Sequence, residues 1–138
     1  MSEYKKPLPV IQSYSKAFWE GTKAGKLLVQ QCQDCNAYMS YPRQFCTECW
    51  SDNMGWKESS GQANVFSFSV TYEGVEPMFE DDLPIVLAWV DLPEGVRMNT
   101  SLIGCDPKDI EIGMEVEVVF KTVTNEITIP HFTPVKKV

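Results

Sequence analysis

The chain has 138 residues, 43% hydrophobic and 22% charged, enough for one typical domain or two small ones. No apolar run approaches the roughly 18 residues that a membrane span needs. The opening Met1-Ser2-Glu3-Tyr4-Lys5-Lys6-Pro7 has no apolar signal core, so the cytoplasm is the expected location. The net charge of −7 is unevenly spread: residues 1–60 hold seven Lys/Arg and six Asp/Glu, residues 61–138 five and thirteen. The second half therefore lacks the basic face that nucleic-acid binders present to phosphates.

Residues 1–12, with Pro7 and Pro9, read as extended. Ser13 or Ser15 is placed to cap a helix over 14–24, and Gly25 suits the left-handed residue that ends one. Tyr14, Phe18 and Thr22 share one helical face, with Trp19 beside it. These rings either pack on their own domain or anchor another subunit. The second reading is preferred, because the helix precedes a compact segment and has little of its own to bury against.

Leu27-Leu28-Val29-Gln30-Gln31 reads as a strand running into Cys32-Gln33-Asp34-Cys35. A second pair, Cys46-Thr47-Glu48-Cys49, follows after ten residues, with a short strand expected over 37–42 between them. Each CxxC turn points two sulfurs at one spot, and two such turns suit a tetrahedral zinc closed to water and substrate. A disulfide framework would need an oxidising compartment. A thioredoxin-type pair would need one CxxC opening a helix. Iron in a rubredoxin-like site also suits four thiolates. Trp50, Met54, Gly55 and Trp56 are expected to cover the metal with apolar bulk, and Cys105 is expected to be a buried, inert thiol.

Ser59-Ser60-Gly61 marks a boundary, after which the pattern changes to strands. They are expected over 65–72, 85–92, 96–103, 115–120 and 127–134, with an acidic loop over 73–84 and a turn over 106–109. The last contains Pro130 and Pro134, which suit a sheet edge. Five strands without a long helix fit a small Greek-key barrel such as the OB-fold. The chain thus divides into an N-terminal extension and helix (1–26), a ribbon (27–60) and a mainly β barrel (61–138).

The order of several short segments resembles one family, the DUF35 or zinc-ribbon OB-fold proteins associated with acyl-CoA enzymes. The resemblance runs from Phe18-Trp19-Glu20-Gly21 through Gly25-Lys26-Leu27, the two cysteine pairs, Tyr41-Pro42-Arg43 and Gly61. It resumes at Pro84-Ile85-Val86-Leu87-Ala88, Glu94-Gly95-Val96-Arg97, Cys105-Asp106-Pro107, Ile112-Gly113-Met114-Glu115-Val116 and His131-Phe132-Thr133-Pro134. It implies an N-terminal helix, a rubredoxin-like zinc ribbon and an OB barrel. It also implies a small accessory subunit of a thiolase-like acyl-CoA enzyme, with a hydratase or aldolase complex as the alternative.

No catalytic constellation is expected within the chain, which has one histidine, His131, and one cysteine outside the two pairs. The expected metal ligands are Cys32, Cys35, Cys46 and Cys49, and the expected partner anchors are Phe18 and Trp19. A coenzyme A thioester at the interface would need cations for its phosphates. Lys5, Lys6, Lys16, Lys23, Lys26, Arg43 and Lys57 are available, and Arg43, beside the ribbon and after Pro42, is the best placed. A single-stranded nucleic-acid binder using Phe66, Phe68, Tyr72 and Trp89 is the rival from another class, disfavoured by the acidic second half. A rubredoxin-like electron carrier is a third, decided by metal analysis.

Overall fold

The computed structural model describes residues 6–135; Lys5 lies outside them. One helix and eight strands alternate with short turns: α1 (Lys16–Lys23), β1 (Leu28–Cys32), β2 (Tyr38–Met39), β3 (Met54–Glu58), β4 (Gln62–Thr71), β5 (Ile85–Asp91), β6 (Arg97–Leu102), β7 (Glu115–Thr122) and β8 (Thr128–Pro134). Strands β2, β1 and β3 form a small antiparallel sheet, and the other five close into a barrel in the order β4-β5-β6-β8-β7. The mainly β architecture of helix, ribbon and five-stranded barrel is the one expected. No helix among the described residues is long and apolar enough to cross a membrane.

Helix α1 begins two residues later than expected, at Lys16. Ser15 stands at its N-cap position without a side-chain capping bond. Its hydroxyl instead accepts from the Gln12 N–H at 2.9 Å and donates to the Gln12 carbonyl. The helix packs on β1, β7 and β8. Phe18 is accordingly only 7% exposed and belongs to the main core, with Leu27 and Val29 of the ribbon and Val65, Val90, Val116 and Phe132 of the barrel. This corrects the expectation of an exposed Phe18 anchor: the barrel strands that cover it lie far downstream in sequence. Trp19 is half-buried and meets Phe18 edge to face at 4.9 Å.

Strand β3 was not anticipated. It pairs with β1 along its whole length, from Leu28↔Glu58 to Cys32↔Met54. The barrel strands alternate inward and outward as a half-buried sheet should: Val86, Ala88 and Val90 are buried while Leu87 and Trp89 are exposed. Strand β8 is not a free edge. It runs along β7 from Thr128 to Pro134, but only Leu102↔Phe132 joins it, parallel, to β6. The prolines, which lack an N–H, fit this thin seam. Asp82, in the acidic loop expected over 73–84, ends a 3-10 turn spanning Pro77–Asp82 and pairs with Lys6.

Gly61 sits between ribbon and barrel with φ +82, and a Cβ there would lie 2.6 Å from Val118 Cγ1. Both the left-handed backbone and the close approach demand glycine.

Candidate metal centre

Strand β1 ends at Cys32 in the first CxxC, and the two CxxC segments close in the same way. The Cys32 N–H donates to the Ala37 carbonyl and the Asn36 N–H to the Cys32 carbonyl, each at 2.9 Å. In the second, the Cys46 N–H donates to the Ser51 carbonyl at 2.8 Å and the Trp50 N–H to the Cys46 carbonyl at 3.0 Å. The residue after each pair adopts a left-handed backbone, Asn36 at φ 66 and Trp50 at φ 65. Asparagine tolerates that conformation; tryptophan does so at a cost. The turn also throws the Trp50 side chain outward, leaving it 78% exposed. Trp50 therefore does not cover the metal site as expected. Met39 and Met54 do, packing with Cys32 and Cys46, while Trp56 packs against the main core.

The sulfurs of Cys32, Cys35, Cys46 and Cys49 lie within 4.8 Å of one another. The Cys32–Cys49 and Cys35–Cys46 pairs are each 3.5 Å apart. A tetrahedron of sulfurs about 2.3 Å from a central zinc has edges of roughly 3.8 Å, so the cluster fits the ion with little adjustment. Cys32 and Cys46 are fully buried, and Cys35 and Cys49 face solvent.

Electrostatics set the Cys32 and Cys49 thiols apart. The Cys35 backbone N–H, then that of Asp34 and the neighbouring sulfurs, hold the Cys32 thiol down to about 7 against the opposing effect of burial. The Ser51 backbone N–H favours a Cys49 thiolate, but Cys32, Cys35, Cys46 and burial together push that thiol up to about 12. A divalent cation removes this competition for protons by stabilising all four thiolates. Asp34 laces the two turns together. It accepts from the Ser51 hydroxyl and, at 3.2 Å, from the Asn53 amide, and the same two bonds lower its carboxyl pKa.

Arg43 stands in the segment between the two cysteine pairs, its side chain exposed. It lines a cleft of about 240 Å³ between ribbon and barrel, with Tyr38, Tyr41 and Thr47 on one side and Gly95, Val96 and Arg97 on the other. The Asn99 N–H donates to the Tyr41 hydroxyl at 3.0 Å and bridges the two sides. Arg97 is occupied, its Nε 2.6 Å from Asp91 Oδ1 and its guanidinium 3.4 Å above the Phe66 ring.

His131 and Cys105 lie away from the four cysteines and together line a separate groove on the barrel. Burial first, then Asp109 and Asp106, push the Cys105 thiol up, so it is a poor nucleophile.

Two family models divide the chain. The one described as "ChsH2, rubredoxin-like zinc ribbon domain" matches residues 19–55, and "ChsH2, C-terminal OB-fold domain" matches residues 56–121. A "DUF35 domain-containing scaffold protein" of Methanothermobacter thermautotrophicus is 36% identical over 97 residues, 70% of this chain and 72% of that protein.

The chain belongs to the DUF35 family.

Its likeness to a chain of the solved "Ltp2-ChsH2(DUF35) aldolase" covers 92% of this chain and 98% of that one, with TM-score 0.82 and 34% identity. The "Probable enoyl-CoA hydratase alpha subunit" of Thermomonospora curvata is 36% identical over 130 residues, 94% of this chain; the chain spans 40% of that relative's length. The "Benzoylsuccinyl-CoA thiolase subunit BbsA" of Geobacter metallireducens is 32% identical over 74 residues, 54% of this chain and 48% of that protein. As a rubredoxin-like zinc ribbon of this family, the DUF35 chain carries four cysteines positioned to bind a metal ion.

Proposed function

We propose that this DUF35 chain is a zinc-binding, non-catalytic accessory subunit of an acyl-CoA enzyme, and that its partner is thiolase-like. One zinc is held by Cys32, Cys35, Cys46 and Cys49, a closed donor set that leaves no position for substrate. The observation that carries the reading is the near full-length likeness to the DUF35 chain of an aldolase whose name pairs it with a second component. A relative named as a thiolase subunit supports the thiolase-like partner, and a hydratase or aldolase partner is the alternative.

Trp19 remains the proposed anchor on the helix. Phe45 and Trp50, 49% and 78% exposed, extend the docking surface over the tip of the ribbon. Large exposed aromatics at such a tip are the side chains that most often dominate binding energy once buried. Arg43 supplies a cation at the ribbon–barrel cleft for a phosphate of coenzyme A, where Tyr38 and Tyr41 offer ring faces.

The test is reconstitution. The zinc-loaded chain is mixed in turn with a thiolase subunit, a hydratase subunit and an aldolase subunit from the same source and resolved by size-exclusion chromatography. A stable complex with the thiolase, whose turnover rises on assembly, supports the reading. A complex with only the hydratase or aldolase reassigns the partner, and turnover by the chain alone overturns the non-catalytic role.

A further inference from the structure

A groove of about 540 Å³, lined by none of the four clustered cysteines, lies on the outer face of the barrel where β6 and β8 meet. Its floor follows from strand alternation. Leu87 pairs with Ser101, and both point away from the barrel interior because Val86 and Leu102 are buried. On β8, Phe132 is fully buried, so His131 beside it faces outward. Lys121 pairs with Ile129 and Val119 with His131. Lys121 and His131 are therefore diagonal neighbours on the same outer face. Phe79 and the Lys6–Asp82 ion pair, from the 3-10 turn and the start of the described chain, line the other side.

The walls are mainly aliphatic, and the volume lies in the range of small-molecule sites. The charges among the lining residues do not cancel. Lys6 is matched by Asp82, while Lys121 adds a second cation. Asp106 and Asp109 act on Cys105 but are not among the lining residues. The His131 ring lines the groove as well; its shielded Nδ1 has no hydrogen-bond partner among the described residues, and burial first, then Lys121, pull its pKa down, so the ring is neutral.

We propose that this groove binds a small apolar monocarboxylate, its carboxylate at Lys121 and His131 and its hydrocarbon body along Leu87 and Ile103. A single cation without an ion-pair partner among the described residues, beside an aliphatic floor, complements one anionic head on an apolar tail. Neither a dianion nor a cation fits that balance. The groove shares no lining residue with the four clustered cysteines or with the ribbon cleft.

The chain has one histidine, so the imidazole proton resonances report on this groove without competition. The zinc-loaded full chain is titrated with octanoate, 1-octanol and octylamine to about 5 mM, which mostly fills even a millimolar site. The expected result is a saturable shift of the His131 resonances with octanoate and at least tenfold weaker binding of the alcohol and the amine. Lys121→Met should weaken octanoate about tenfold, while Lys23→Met on the exposed face of α1 leaves it unchanged. Lys121 is itself exposed, and unchanged zinc content and melting temperature establish that its variant is folded. No shift with octanoate, equal binding of octanol, preference for octylamine, or indifference to Lys121→Met would each overturn the proposal.

Discussion

The Gln30 side chain treats Arg43 as a strand partner. Its Nε2 donates to the Arg43 carbonyl and its Oε1 accepts from the Arg43 N–H, both at 2.8 Å. Gln30 is only 2% exposed, so this pair of bonds fixes Arg43, beyond the short β1–β2 ladder, against β1. Replacing Gln30 with Leu leaves two backbone groups short of a partner. A loss of about 2 kcal/mol is expected from such unsatisfied groups, measured by chemical unfolding of the zinc-loaded chain. A change within error would mean that water replaces the amide.

Cys46→Ser should abolish stoichiometric zinc and release the tip of the ribbon, because metal-binding energy here is folding energy. Elemental analysis and circular dichroism check both parts. Zinc should also be lost as pH falls. Binding requires four thiolates, and even the Cys32 thiol, held near 7, regains its proton below neutrality. Retention assayed against a chelator should therefore decline from pH 7.5 to about 5.5; a flat profile would contradict thiolate ligation.

Phe18→Ala and Trp19→Ala should separate core from interface. Phe18 is a core ring, and its truncation should cost about 3 kcal/mol of stability or more. Trp19→Ala should leave the free chain much closer to native and weaken the partner complex by roughly 2 kcal/mol if it is a hot spot. Partner affinity and melting temperature measured on each variant decide. A collapse of stability at Trp19 with unchanged affinity in the folded fraction would move the anchor to Phe45 and Trp50.

Trp50→Gly relieves a left-handed tryptophan and should stabilise the isolated chain by about 1 kcal/mol. The same change should impair partner binding if the exposed ring is an anchor. A variant that gains stability and binds normally would show that the ring has no role in docking.

Gly61→Ala should be clearly more destabilising than Gly74→Ala. Both glycines have φ above +80, so the backbone cost of about 1 kcal/mol is shared. Only the Cβ at 61 meets Val118; at 74 nothing lies within 4 Å. Equal melting temperatures for the two variants would mean that Val118 moves aside freely.

The metal centre was legible because a CxxC turn is local: four residues and their spacing carry the whole geometry. The barrel strands were legible by alternation, as in Ile85–Asp91. Strand β3 escaped because Met54-Gly55-Trp56-Lys57-Glu58 has no clean period and gains its ladder from a strand more than twenty residues upstream. The burial of Phe18 escaped for the same reason on a longer scale, since β7 and β8 close over it from the far end of the chain. Trp50 was misread through its chemistry. An apolar ring beside a metal site suggests cover, but its direction follows from the left-handed turn. The neighbouring Asn36 at the equivalent place was the available signal.

Strand β1 reaches between two separate apolar clusters. Leu27, just before it, and Val29, near its start, are embedded with the helix and barrel, whereas Cys32, at its end, packs with Met39 and Cys46 around the sulfurs. Its base is thus clamped by hydrocarbon and its tip by the ion. A chain that has not yet met zinc can already own a complete barrel and helix, leaving only the outer loops to be set. Loading then acts as a late maturation step on a preformed frame, and a metal-starved cell would accumulate a folded protein whose tip, where Phe45 and Trp50 stand, is not yet shaped for a partner.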